Sequence, residues 1–241
     1  MDRWKLEPAH DAGLPFFRRL RSVDRESGLI ETALHVAWWR VVRIYLRLAH
    51  RVRIEGREHL PREGPFVLVA NHQSHLDALV LTAQLPWRLR IRAHPIAAAD
   101  TFFDNAITSA LSAATINALP VQRGRTGAHA LEHLRTRLIK ERCVYVLFPE
   151  GTRTRDGAIG RFKPGVGLLL AGTDVPVVPC HLAGSFEALP PHRHVPRFLP
   201  IRLKIGPAIR FTEVPNDRDG WIRIADVLEQ QVRGLSKENA V

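Results

Sequence analysis

The sequence predicts an α/β fold: a mixed, mainly parallel sheet flanked by helices, with a long amphipathic helix ahead of it. Three observations predict it. After Gly56, short apolar runs alternate with segments whose apolar residues recur at helical spacing, the order that builds parallel sheets. Runs such as Phe66-Val67-Leu68-Val69-Ala70 are apolar throughout, as strands buried on both faces are. Ahead of them, residues 29–51 contain no Pro or Gly and place their arginines on one arc of a helix.

Residues 1–28 are charged, carry Pro and Gly, and read as a loosely structured lead-in. In the helix over 29–51, Arg40, Arg43, Arg47, His50 and Arg51 share an arc. Leu34, Ala37, Trp38, Val41, Val42, Ile44, Tyr45 and Leu48 fill a broad opposite face. Two readings are open. The helix packs on the protein's own core with its arginines in water, or it lies in a membrane interface. In the second reading Trp38 and Trp39 sit at the headgroup boundary, and Arg40, Arg43 and Arg47 face anionic lipid. Strands are expected over 51–55, 66–70, 91–97, 116–121, 144–148, 175–180 and 201–205. Helices are expected over 75–85, 101–113, 127–140, 164–172 and 220–233. This divides the chain into an N-terminal segment, 1–50, whose helix covers about 29–50, and a main domain, 51–241.

The 241 residues suffice for one well-buried domain, and 45% hydrophobic with 24% charged residues excludes wholesale disorder. Thirty-five Lys and Arg against 24 Asp and Glu leave a net charge of +11, which favours anionic partners: nucleic acid, lipid headgroups or phosphorylated substrates. A coding bias toward Arg produces the same excess without any function. Cys143 and Cys180 sit in apolar runs and form no disulfide framework. No secretory leader is expected from residues 1–17, and no run of about 18 strongly apolar residues predicts a spanning helix.

The segment Ala70-Asn71-His72-Gln73-Ser74-His75-Leu76-Asp77 leaves a buried strand and enters a helix. Ser74 and Asp77 have capping-box spacing, so Asp77 reads as a cap partner, His75 as a first-turn surface residue and His72 as a turn residue. The same residues fit a catalytic pair, because open α/β sheets bind ligands beyond the carboxyl ends of their strands. Asp77, one turn into the helix, then reaches back to orient His72 as a general base. His72, His75 and Asp77 also suggest a metal site, although no HExxH spacing is present. A Ser or Cys nucleophile lacks a motif.

The second cluster, Phe148-Pro149-Glu150-Gly151-Thr152-Arg153, follows another apolar strand. Gly151 permits close backbone approach, and Arg153 with Arg155 offers forked donors that suit phosphate. Glu150 is expected to hold an arginine or to contact a substrate hydroxyl. A solvated surface turn is the competing reading.

Asn71-His72 with Asp77 five residues on, then Pro120-Val121-Gln122-Arg123, then Phe148 to Arg153, then Val175 to Pro179 resembles the four motif blocks of the glycerophospholipid acyltransferases. The likeness is strongest to the 1-acylglycerol-3-phosphate acyltransferases. The resemblance implies His72 as base and Asp77 as its partner, with Arg123, Glu150, Gly151, Thr152 and Arg153 at the acceptor phosphate. It places Val177, Val178 and Pro179 on the acyl-donor side and makes the first helix a membrane-docking element. Ala99-Asp100 departs from the family pattern, where a basic residue is frequent. The implied reaction belongs to phospholipid biosynthesis: transfer of an acyl group from acyl-CoA or acyl-carrier protein to a lysophospholipid hydroxyl, giving phosphatidic acid, with no covalent intermediate, metal or other cofactor. The expected partners are the membrane surface, anionic lipids and the two substrates, with the protein cytoplasmic and peripheral or monotopic on the inner face of the cell membrane. The alternative within the same class is an acyltransferase acting on a different alcohol or lysolipid acceptor. A nucleic-acid-binding module and a metal-dependent hydrolase are the readings from other classes; scattered arginines and the absence of a recognised motif weigh against the first.

Overall fold

The computed structural model describes residues 29–98, 118–121 and 125–237. Its centre is a seven-stranded sheet in the order β1-β7-β6-β2-β5-β3-β4. The strands are β1 Arg53–Glu55, β2 Phe66–Ala70, β3 Ala93–Ala98, β4 Leu119–Val121, β5 Val144–Leu147, β6 Val177–Ala183 and β7 Arg202–Ile205. Strand β2 is flanked by β5 and β6, both parallel to it, with Leu68 opposite Val146 on one side and Val178 on the other. Among the described strands β7 alone runs antiparallel to a neighbour, β6, while pairing in parallel with β1. The mixed, mainly parallel sheet is therefore the one its apolar runs predict.

Helices cover both faces. They are α1 Leu29–Ala49, α2 Leu76–Gln84, α3 Trp87–Arg90, α4 Arg125–Lys140, α5 Gly165–Leu170, α6 Ser185–Ala188 and α7 Arg218–Lys237. The alternation of β2 splits its side chains between two cores. Phe66, Leu68 and Ala70 pack with Trp39, Val42 and Leu46 of α1 and with Val80 and Leu81 of α2. Val67 and Val69 pack on the other side with Leu134 and Leu138 of α4, Leu169 of α5 and Leu228 of α7. Each such fully buried side chain contributes about 1.5–3 kcal/mol relative to exposure, so the carboxyl end of β2 rests on a doubly covered strand.

Helix α1 divides its apolar residues differently from the sequence expectation. Trp39, Val42, Leu46 and Ala49 turn to the core, whereas Trp38, Val41, Ile44 and Leu48 are exposed beside Arg40, Arg43 and Arg47. Trp39 was expected at a membrane boundary. It is instead 1% exposed, with the guanidinium of Arg90 5.8 Å above its ring. Arg90 itself is held by the carbonyls of Ala83 and Leu85, and burial pushes its pKa down to about 10. The helix expected over 101–113 and the first residues of the strand expected over 116–121 lie outside the described residues. The two one-turn helices α3 and α6 carry too few residues for a periodic signal.

Candidate active site

Strand β2 ends at Ala70, opposite Cys180, while β6 runs on beside it to Ala183, and the site begins there. Asn71 continues their pairing with its side chain: its amide nitrogen donates to the Leu182 carbonyl at 2.9 Å and its oxygen accepts from the Leu182 N–H at 2.8 Å. The chain then turns, and His72 is gripped on three sides. Its N–H donates to Glu150 Oε1 at 2.8 Å, its carbonyl accepts from the Thr154 N–H at 2.9 Å, and its ring stacks on Phe148 with centroids 4.1 Å apart.

Asp77 is fully buried, and three donors converge on its Oδ2: His72 Nδ1 at 3.0 Å, the Gln73 N–H at 2.6 Å and the Ser74 N–H at 2.7 Å. One carboxylate thus makes both the cap contact and the bond to His72. The bond from Ser74 is the half of a capping box that the spacing predicts. The other half differs, since Ser74 Oγ takes the Leu76 N–H and donates to the Leu189 carbonyl. Helix α2 consequently starts at Leu76, with His75 in helical conformation at its cap position. With two backbone donors already on Oδ2, the third contact requires His72 to carry its proton on Nδ1, which leaves Nε2 as the basic nitrogen.

Glu150 corrects an expectation. Among the described residues its partners are backbone amides rather than an arginine. It is 5% exposed, and its two oxygens accept from the His72 N–H and, at 2.9 Å, from the Gly160 N–H. Burial raises its pKa above the ordinary carboxylate value, against the pull of those two amides. Gly151 follows with φ of +71°, a backbone conformation that calls for glycine, and the flexible end of Lys163 lies over it, with Nζ 2.7 Å from where a Cβ would stand. Thr152 is exposed at the tip of the turn. Arg153 is half-buried near Asp77; burial lowers its pKa in spite of that carboxylate. The pKa of His75 is pushed down to about 4, first by desolvation and then by the charges of Arg153 and His72, against the pull of Asp77.

The structure thus brings His72, Asp77, Glu150, Gly151 and Arg153 together. It does not bring Val177, Val178 and Pro179 to an accessible surface. All three lie buried in β6, with Val177 and Val178 at 0% exposure in the two cores, so an acyl-donor role through their side chains is withdrawn. Arg123 lies outside the described residues. The sequence reading missed Gln73, whose amide donates to the Gly157 carbonyl at 2.8 Å, and Lys163, folded over Gly151. Polar residues just past a buried strand were the available signal for Asn71 and Gln73. Among the described residues no group of three or more His, Cys, Asp or Glu side chains is placed to hold a metal ion.

Fold and site together define an α/β protein with a carboxylate-oriented imidazole at the carboxyl edge of its sheet, the arrangement of a general base. The chain belongs to the Acyltransferase family, whose sequence model matches residues 51–183. It is 33% identical over 153 residues to a chloroplastic 1-acyl-sn-glycerol-3-phosphate acyltransferase of Brassica napus, covering 63% of this chain and 42% of that one. It is 33% identical over 145 residues to the human 1-acyl-sn-glycerol-3-phosphate acyltransferase alpha, covering 58% and 49%. The chain thus matches under half the length of these relatives. The crystal structure of the 1-acyl-sn-glycerophosphate acyltransferase PlsC from Thermotoga maritima superposes with a TM-score of 0.62 at 23% identity, over 91% of this chain and 86% of that one, and shares its fold.

Proposed function

We propose that this protein transfers a fatty acyl group from an acyl thioester, acyl-CoA or acyl-carrier protein, to the free hydroxyl of 1-acylglycerol-3-phosphate, giving phosphatidic acid. The observation that carries the reading is the His72–Asp77 bond, which presents Nε2 as a base at the edge of the sheet. Matched relatives named for this reaction support the choice of acceptor.

His72 Nε2 takes the hydroxyl proton as the oxygen attacks the thioester carbonyl, and Asp77 balances the imidazolium that forms. The tetrahedral intermediate collapses, the C–S bond breaks, and the departing sulfur takes the proton from His72. Ester and free thiol are released with no covalent acyl-enzyme. Arg153, Arg123 and the exposed Lys163 neutralise the acceptor phosphate, and the Gly151-Thr152 backbone gives it room. Held there, the hydroxyl reacts as a positioned group rather than by chance encounter.

The acceptor is a membrane lipid, and helix α1 docks the protein to that surface. Its exposed Trp38, Val41, Ile44 and Leu48 lie among Arg40, Arg43 and Arg47, apolar side chains for the acyl boundary and cations for anionic headgroups. No helix among the described residues is long and apolar enough to cross a membrane. The docking proposed through α1 is peripheral, on the inner face of the cell membrane.

A thiol-release assay with oleoyl-CoA and lysophosphatidic acid in detergent tests the reading. Thiol release that requires both the acceptor and His72 is the expected result. His72→Ala is expected to lose about 10²–10⁴-fold in turnover. Near-normal turnover by a folded His72→Ala protein would exclude the mechanism.

A further inference from the structure

The grip on His72 extends beyond the two motif turns. Glu150 bridges the His72 N–H and the Gly160 N–H, so the position of His72 depends on where Gly160 is held. Gly160 belongs to the segment 159–162, which lies in neither helix nor strand. That segment is clamped from behind by two side chains of α7. Arg233 Nη2 donates to the Ile159 carbonyl at 2.6 Å and reaches the Gly160 carbonyl at 3.5 Å. Glu229 Oε2 accepts the Phe162 N–H at 2.8 Å, and its other oxygen accepts from Arg233 Nε at 2.9 Å. The two residues, one helical turn apart, preorganise each other before either meets the segment.

We propose that Glu229 and Arg233 are positioning residues for His72, acting through segment 159–162 and Glu150. The two side chains lie beyond the residues that the family model matches. The segment lies close against the carboxylate it serves, since a Cβ at position 160 would meet Glu150 Oε2 at 2.7 Å. Glu150 is buried, so an amide withdrawn from it is not replaced by bulk water without cost. The pair is electrically neutral as a unit.

The kinetic arm of the test rests on the acyltransferase reading; the spectroscopic arm does not. Full-length Arg233→Ala, Arg233→Lys and Val232→Ala are compared with wild type. Val232 is the adjoining α7 residue, buried in the core and outside the network, so its variant reports what simple loosening of the helix does. Arg233→Ala is expected to lower kcat about 10- to 100-fold while the KM for lysophosphatidic acid stays within about two-fold. It is also expected to displace the titration of the His72 imidazole followed by histidine-selective NMR, the signal being identified by its loss in His72→Gln. Arg233→Lys restores part of both, and Val232→Ala lowers Tm but changes neither. A folded Arg233→Ala protein with wild-type kcat and His72 titration overturns the proposal. So does a Val232→Ala protein that reproduces the changes of Arg233→Ala. Should Arg233→Ala fail to fold, Glu229→Gln decides by the same two readouts, since it keeps an acceptor for Phe162 but weakens the hold on Arg233. If no acyl transfer is found with any donor, the NMR titration alone upholds or overturns the relay.

Discussion

Asp77 and Gly151 show how closely single atoms are committed in this site. With three donors on one carboxylate oxygen, Asp77→Asn puts an amide where His72 Nδ1, Gln73 N–H and Ser74 N–H all need an acceptor. Turning the amide oxygen toward the two backbone donors leaves His72 without its orienting charge. The expected loss is about 10³–10⁴-fold in kcat, as when a triad acid becomes an amide, and about 1–3 kcal/mol of stability for donors left unpaired. Steady-state kinetics beside a urea melt measures both. At Gly151, alanine meets a positive φ and the Lys163 side chain together. Gly151→Ala is expected to cost about 1–3 kcal/mol, read as a lower urea midpoint. The His72–Asp77 spacing was legible because both ends of that bond lie five residues apart. The role of Glu150 was not. Its partners are backbone amides 78 and 10 residues away, and backbone groups carry no residue-type signal.

Helix α1 separates two tryptophans that are adjacent in sequence. Trp39 is at 1% exposure and Trp38 at 37%, so truncating them has different consequences. Trp39→Ala is expected to cost about 3–5 kcal/mol in chemical unfolding, as large-to-small core changes do. Trp38→Ala is expected to stay within about 0.5 kcal/mol of wild type. In co-sedimentation with vesicles containing anionic lipid, Trp38→Ala with Ile44→Ala should bind more weakly than wild type, and the difference should shrink as salt is raised. Unchanged sedimentation would remove α1 from the docking proposal. A helical wheel reveals that α1 is amphipathic but not that its apolar arc is shared between core and surface. That division depends on how α1 lies against the face formed by Phe66, Leu68 and Ala70. Strand existence was legible from apolar runs, and the strand over 66–70 kept its bounds, whereas other strand ends moved by up to three residues. The registers that set them, such as Ala70 opposite Cys180, are tertiary facts.

Taken whole, the molecule places its acid-sensitive groups in the sheet as well as at the site. His181, on β6 opposite Lys204 of β7, is 7% exposed. Burial and then the Lys204 charge push its pKa down to about 4. A depressed imidazole means that the unfolded chain binds a proton the native protein refuses. The stability it contributes is fully present above about pH 6.5 and is lost as pH falls toward 4. Up to about 3 kcal/mol is at stake over that window. His181→Gln is expected to flatten the fall in urea midpoint between pH 6.5 and 4, and an unchanged slope would assign the acid sensitivity elsewhere. The order β1-β7-β6-β2-β5-β3-β4, which brings β6 beside β2, was not legible in the linear alternation of runs. Sequence order does not say where the antiparallel β7 joins.

The rung that Asn71 adds to the sheet also bears on how this protein ages. An asparagine deamidates when the next residue's amide nitrogen attacks its side-chain carbonyl. Here that nitrogen is committed to Glu150, and the carbonyl to the Leu182 N–H. The folded chain therefore shelters the bond, while any excursion to the unfolded state exposes it. The product is expected to refold poorly, because a carboxylate at position 71 would face the Leu182 carbonyl that now receives a donor. Warm storage in urea should thus yield chains one mass unit heavier at Asn71 that do not regain the native site on dilution, while chains stored folded stay intact at that position.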